Sequence, residues 1–225
     1  EGARYIGSWA GDKKNGQGTQ TWSDGSRYTG TWKENQFSGE GTFEYANGDK
    51  YVGSWENGVQ HGQGIYHFHT GERYEGNYIN GQRTGQGVYL RVNGDKYVGN
   101  FLNGVQQGLG TFTWANGAVY TGEWKENQRS GQGIYKWNQG DVYEGEWADD
   151  LFNGQGTLTT IDGTTYKGGF VNGQKEGTCV EIDAQGNRFE GSYLEGRRHG
   201  PFTKTDKEGK VIQQGTYEKG RLKSN

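Results

Sequence analysis

An aromatic residue, a glycine two positions later and a second aromatic two positions beyond it recur every 23 residues along this 225-residue chain. The copies are Tyr5/Gly7/Trp9, Tyr28/Gly30/Trp32, Tyr51/Gly53/Trp55, Tyr74/Gly76/Tyr78, Tyr97/Gly99/Phe101, Tyr120/Gly122/Trp124, Tyr143/Gly145/Trp147, Tyr166/Gly168/Phe170 and Phe189/Gly191/Tyr193. A half copy, Gln213/Gly215/Tyr217, arrives one residue late. A fixed short period confines a chain to stacked copies of one small unit, each burying its apolar face on its neighbours. With the first aromatic as position 1, positions 12 and 21 are glycine in all nine full copies, and position 14 is glycine in the first seven. Position 8 is always Gly, Asn or Asp, the residue types that tolerate a left-handed backbone. Two turns per repeat follow.

Between the turns apolar and polar residues alternate with period two, as in Tyr51-Val52-Gly53-Ser54-Trp55 and Tyr143-Glu144-Gly145-Glu146-Trp147. That is the pattern of a half-buried strand. A second strand is predicted over positions 13–18, as in Gln132-Gly133-Ile134-Tyr135-Lys136-Trp137. The expected fold is therefore all-β: one elongated antiparallel meander, a solenoid-like stack of hairpins with no helix. A three-residue loop at turns such as Asn47-Gly48, with the glycine in a left-handed bulge, pairs position 16 with the next position 1. Phe43 then faces Tyr51, Gly41 faces Gly53 and Gly39 faces Trp55, so rings lie over glycines on one face. A two-residue loop would scatter the aromatics over both faces. At ~4.7–4.9 Å per strand each repeat spans roughly 9–10 Å, and the sheet about 90 Å. The expected organisation is a single repeat domain over 1–225. Its repeats start at 5, 28, 51, 74, 97, 120, 143, 166 and 189, with a half repeat and cap at 213–225.

Composition agrees. Hydrophobic residues are only 29% of the chain, but 44 glycines, 15 tyrosines, nine phenylalanines and eight tryptophans are present. The core implied is one of rings packed on bare backbone. A disordered glycine-rich chain is rich in proline and poor in aromatics, whereas this one has a single proline. Cys179 is alone, which excludes an internal disulfide and an all-cysteine zinc site. Residues 1–187 carry 15 Lys+Arg against 22 Asp+Glu, net −7, and residues 188–225 carry nine against five, net +4. A weakly basic tail is not the basic face of a nucleic-acid binder, so no nucleic-acid partner is expected. No apolar stretch approaches the ~18 residues of a membrane span. The start at Glu1, four residues before a repeat, fits a processed or truncated chain.

Tyr-x-Gly-x-Trp-x-x-Gly followed by His-Gly-x-Gly, here Tyr51-Val52-Gly53-Ser54-Trp55 with Gly58 and His61-Gly62-Gln63-Gly64, resembles the MORN (membrane occupation and recognition nexus) repeat. The resemblance covers essentially the whole chain. It implies a twisted or curved sheet with an aromatic-lined groove, and a role as scaffold, partner-binding module or membrane-proximal adaptor. It also implies dimerisation through terminal repeats in some members. The last repeats depart from the pattern. Position 14 becomes Cys179 and then Phe202, position 16 becomes Leu158, Glu181 and Lys204, and Pro201 enters the final strand. Closing an open sheet edge accounts for such departures, and a dimer or partner surface is the competing reading.

Catalytic and metal chemistry finds little support. The recurring Gly-x-Gly pairs lack the Lys-Ser/Thr of a phosphate loop and precede strands, where a nucleotide loop needs a helix. His61, His67 and His69 are near one another in sequence, but a metal site needs three or four convergent ligands. Glu144 and Glu146 fall on the polar face and Asp150 in a turn, which is not the pocket that paired-carboxylate catalysis needs. No enzyme activity, cofactor or metal is expected. The candidate partner groove is the ladder Trp32, Trp55, Tyr78, Phe101, Trp124 and Trp147, flanked by Tyr51, Tyr74, Tyr97 and Tyr120, receiving a peptide, a helix or a second copy. Arg197, Arg198, Lys204, Lys207 and Lys210 form a candidate dimer or anionic-lipid surface. Peripheral membrane association is the alternative function.

Overall fold

Each repeat makes one hairpin with a two-residue loop and joins the next repeat through a three-residue loop. Both loops follow from the residues at their tips. At Asn57-Gly58 both residues are left-handed (φ 49° and 82°), as they are at Glu34-Asn35 (48° and 71°). Two such residues make a type I′ turn, whose twist matches that of the flanking strands. The other loop is the expected one: Tyr45 N–H donates to the Asp49 carbonyl at 2.8 Å and Gly48 N–H to the Tyr45 carbonyl at 2.9 Å. Left-handed residues at position 7, such as Glu34, Glu126 and Glu195, were not foreseen.

The computed structural model describes residues 2–223, which fall into two compact units divided after Ala115. Among the described residues there are 21 strands and no helix. In the first unit ten antiparallel strands, from Arg4–Ala10 to Val105–Thr113, pair with their sequence neighbours. The second unit continues the pattern from Val119–Lys125 to Arg221–Leu222. The predicted register holds: Gly39 pairs Trp55, Gly41 pairs Gly53 and Phe43 pairs Tyr51. The second strand of each repeat is longer than the predicted positions 13–18. Gln36–Glu44 covers positions 9–17, because the two-residue turn delivers the chain straight into pairing. Within the hairpin the register slips between Gly30 and Trp32, where Gly39 takes φ 59°. Position 12 is thus a bulge as well as the partner of a ring.

The late arrival of the half repeat has a local cause. Lys204 pairs Gln213 but Thr205 pairs Val211, so Ile212 is an extra residue bulged out of Val211–Glu218. Pro201, which has no N–H to donate, lies where the penultimate repeat breaks into Arg197–Arg198 and Gly200–Thr205.

Neighbouring repeats are also tied at both sheet edges. On one side the position 8 N–H donates to the position 10 carbonyl one repeat earlier, as in Gly58 to Phe37 at 3.0 Å and Gly173 to Phe152 at 2.9 Å. On the other side position 22 carboxylates accept the backbone N–H of the next turn. Asp49 binds His69 at 2.7 Å, Asp95 binds Ala115 at 2.8 Å and Asp141 binds Ile161 at 2.9 Å.

Candidate functional site

The floor of the aromatic face is built by the position 1 tyrosines. Tyr28, Tyr51, Tyr74, Tyr97, Tyr120 and Tyr143 are fully buried. Each ring lies along its own strand, and its hydroxyl donates to the backbone carbonyl three residues on: Tyr28 to Thr31 at 3.0 Å, Tyr51 to Ser54 at 3.0 Å and Tyr120 to Glu123 at 2.9 Å. The glycines at positions 3 and 14 make this possible. A methyl on Gly41 would stand 2.6 Å from Tyr28 Cε2, and one on Gly133 would stand 2.5 Å from Tyr120 Cε2. Burial pushes the phenols of all six tyrosines well up from their usual range.

The position 5 ladder packs edge-on against this row. Trp32 and Trp55 sit 5.2 and 5.5 Å from the Tyr28 centroid, nearly perpendicular to it. Their indole N–H groups donate to the carbonyls of Gly18 and Gly41 at 3.1 and 3.3 Å. In the first unit Trp32, Trp55, Tyr78 and Phe101 are 3–6% exposed, and in the second Trp124 and Trp147 are 6% and 4% exposed. Within the first unit Tyr51, Tyr74 and Tyr97, and within the second Tyr120, lie buried beside these rings. In each unit they form the floor of the expected groove, with little surface left to offer a partner. The rings bury one another because glycine lets them lie flat.

Accessible aromatic surface comes from positions 16 and 18 instead. In the first unit Trp22, Phe43, Tyr45, Tyr66, Phe68 and Tyr89 are half-buried and run in contact: Trp22 stacks on Phe43 at 5.4 Å, Tyr66 meets Phe68 at 4.6 Å and Phe68 meets Tyr89 at 6.0 Å. In the second, Tyr135 and Trp137 pair at 4.7 Å. Position 10 closes the floor from the side, a role the sequence reading missed. Phe37 stacks on Tyr28 at 4.0 Å and Phe152 on Tyr143 at 3.9 Å. In other repeats a cation does the same work: Arg83 lies 5.3 Å from the Tyr74 ring, Arg129 4.5 Å from Trp147 and Lys175 4.1 Å from Tyr166. The signal available in the sequence was only that seven of these nine residues are Lys, Arg or Phe.

Between these rows lie two half-open pockets built on the same repeat positions 69 residues apart. The first, about 290 Å³, is walled by Gln60, Tyr66, Phe68, Tyr78 and Arg83. The second, about 240 Å³, is walled by Arg129, Tyr135, Trp137, Trp147 and Phe152.

The MORN-repeat family model matches nine consecutive segments: residues 5–27, 28–50, 51–73, 74–96, 97–119, 120–142, 143–165, 166–188 and 189–201. The chain belongs to the MORN-repeat family. No curated protein matches the sequence significantly. Solved structures with a partial likeness include the TCP10 domain of Danio rerio CPAP, at 11% identity over 96% of each chain with a TM-score of 0.48. Another is the TCP domain of Drosophila melanogaster SAS-4 in complex with a proline-rich motif of Ana2, at 12% identity over 73% of this chain and 88% of that one, TM-score 0.46.

In the last MORN repeats the predicted cations are mostly engaged. Arg198 reaches Glu181 at 2.5 Å and lies 4.0 Å from the Phe189 ring, Lys204 meets Asp183 at 3.5 Å and Lys207 meets Glu208 at 3.7 Å. Arg197 and Lys210 have no carboxylate partner among the described residues. Glu181 is largely buried. Burial alone would raise its pKa, but donation from Tyr193 and Arg198, with Lys175 nearby, holds it below the usual carboxylate range. The buried Cys179 thiol is pushed up to about 11 by the same desolvation. The histidines do not converge: His69 Nδ1 contacts Asp49 Oδ1 at 2.8 Å and His61 lies 3.5 Å from Glu56. Among the described residues no three metal-ligating side chains come together.

Proposed function

We propose that this MORN-repeat chain is a non-enzymatic scaffold that holds a segment of a protein partner along the half-exposed rings of positions 16 and 18. One observation supports the reading above others. The floor of Tyr and Trp is closed by its own packing and hydrogen bonds, yet a second continuous row of large rings remains half-open beside it. A pre-formed aromatic face with side pockets suits a peptide laid across it, because the protein side loses little freedom on binding. The pairing of Arg198, Lys204 and Lys207 with neighbouring carboxylates leaves fewer free cations to meet an anionic lipid surface.

The test is selection of a displayed random 16-residue peptide library on the full chain, with Phe68→Ser and Trp137→Ser as comparators. These rings are half-exposed, so the variants keep the floor intact. The proposal expects peptides that bind the parent chain and lose affinity on at least one variant. Failure to enrich any peptide, or equal binding by both variants, counts against it.

A further inference from the structure

We infer that the first pocket is a receptor for an acidic amphipathic segment: an apolar side chain seated among Tyr66, Phe68 and Tyr78, with a neighbouring carboxylate meeting the Arg83 guanidinium. This rests on the scaffold reading and adds the chemistry of the partner.

The argument comes from comparing two position 10 arginines, one lining each pocket but on opposite walls, since Arg83 stands where the second pocket has Phe152 and Arg129 where the first has Gln60. In the second, Arg129 covers the floor and is fully answered from within the chain. Its Nε donates to Asp150 Oδ1 at 2.9 Å, its Nη2 to the Asp150 carbonyl at 2.8 Å, and its backbone N–H to Asp150 Oδ1 at 2.9 Å. Asp150 sits at the two-residue turn one repeat further on. For Arg83 the residue at that place is Gly104, which carries no carboxylate, although a Cβ built there would lie 3.8 Å from Arg83 Nη2. Among the described residues no carboxylate comes within 4.0 Å of Arg83, and Glu72, the nearby acid, is engaged with the Tyr89 hydroxyl. Arg83 is instead held flat by the rings of Tyr74, Tyr89 and Phe101, at 5.3, 5.7 and 5.8 Å. A guanidinium pinned on aromatic faces is a pre-organised fork for a carboxylate, and the rings around it exclude water on one side. The same repeat position therefore carries a guanidinium already neutralised at Arg129 and one awaiting an anion at Arg83.

Substitutions already tolerated at these positions test this without unfolding the chain. Gln occupies position 10 as Gln60 and Gln106, and Asp occupies position 8 as Asp12 and Asp150. The probes are synthetic peptides taken from the 16-residue selection, measured by fluorescence anisotropy. The inference expects enriched peptides with Asp or Glu beside an aromatic or aliphatic residue. Their affinity should fall about tenfold or more in Arg83→Gln, in Gly104→Asp and when the peptide carboxylate becomes an amide, but not in Gly104→Asn. If peptides bind through Phe68 but show no acidic preference, or bind Arg83→Gln or Gly104→Asp unchanged, this inference is overturned and the scaffold reading stands. If no peptide binds, or none depends on the rings, both fall.

Discussion

Adding one methyl at Gly41 is the sharpest way to challenge a core made of rings on bare backbone. The new Cβ would sit 2.6 Å from Tyr28 Cε2 and Cζ. Tyr28 cannot yield easily, being 0% exposed, stacked under Phe37 at 4.0 Å and bonded to the Thr31 carbonyl at 3.0 Å. Overpacking of this kind costs about 1–3 kcal/mol, and a displaced hydroxyl that loses its acceptor adds about 1–3 kcal/mol. The better strand propensity of alanine returns roughly 0.5–1 kcal/mol. Gly41→Ala should therefore destabilise by about 2–4 kcal/mol, lowering the melting temperature by roughly 5–15 °C for a chain of this size. Gly25→Ala is the comparator, since a methyl there meets nothing within 4 Å and only its left-handed backbone (φ 90°) is strained. That substitution should cost about 1–2 kcal/mol. Thermal and urea unfolding followed by ellipticity would give the ranking. The decisive arm is the Tyr28→Ala background, in which Gly41→Ala should cost nothing. Equal cost with and without the Tyr28 ring would refute the reasoning.

Three further outcomes follow from the same contacts. Glu181 has a folded pKa below its unfolded value, so its stabilisation is present above about pH 4.5 and is lost as pH falls through the folded value. Glu181→Gln should cost about 2 kcal/mol at pH 7 in urea unfolding, and the gap should close as acid protonates the carboxylate; a gap unchanged with pH would contradict the pairing with Arg198 and Tyr193. Tyr51→Phe keeps the ring and removes one donor to Ser54, so calorimetry should find a loss of about 1 kcal/mol, far less than Gly41→Ala. At pH 8 the Cys179 thiol should react with a disulfide reagent roughly 200-fold more slowly than a free cysteine, and rapid labelling of the folded chain would show that its burial is wrong.

The sequence and the structure agree where chemistry and geometry demand the same residue in every copy. Positions 1, 3, 5 and 14 repeat because a ring can lie flat only where no Cβ intervenes, and that made the register readable from Gly41, Gly53 and Tyr51 alone. Position 10 was not legible. Its residues mix cations (Lys14, Arg83, Arg129), a ring (Phe37) and an amide (Gln60), and that the cations and the ring lie against Tyr5, Tyr74, Tyr120 and Tyr28 is visible only once the hairpin is closed. The left-handed Glu34 and Glu126 were hidden for a similar reason: the turn type imposes their conformation, not the residue type. The expected groove erred in depth. Alternation correctly put Trp55 and Tyr78 on the apolar face, but period two cannot distinguish a ring that is open to a partner from one that its neighbours have covered.

Alkaline titration of tyrosine absorbance tests the sealed floor most directly. Burial raises the phenol pKa in Tyr28, Tyr51, Tyr74, Tyr97, Tyr120 and Tyr143, so the stability they confer is present below about pH 10 and lost as pH climbs through the folded values. The account predicts a small early rise from accessible phenols, then a delayed cooperative step that coincides with loss of the sheet ellipticity. Smooth ionisation of all 15 tyrosines near pH 10 with the sheet still intact would contradict it.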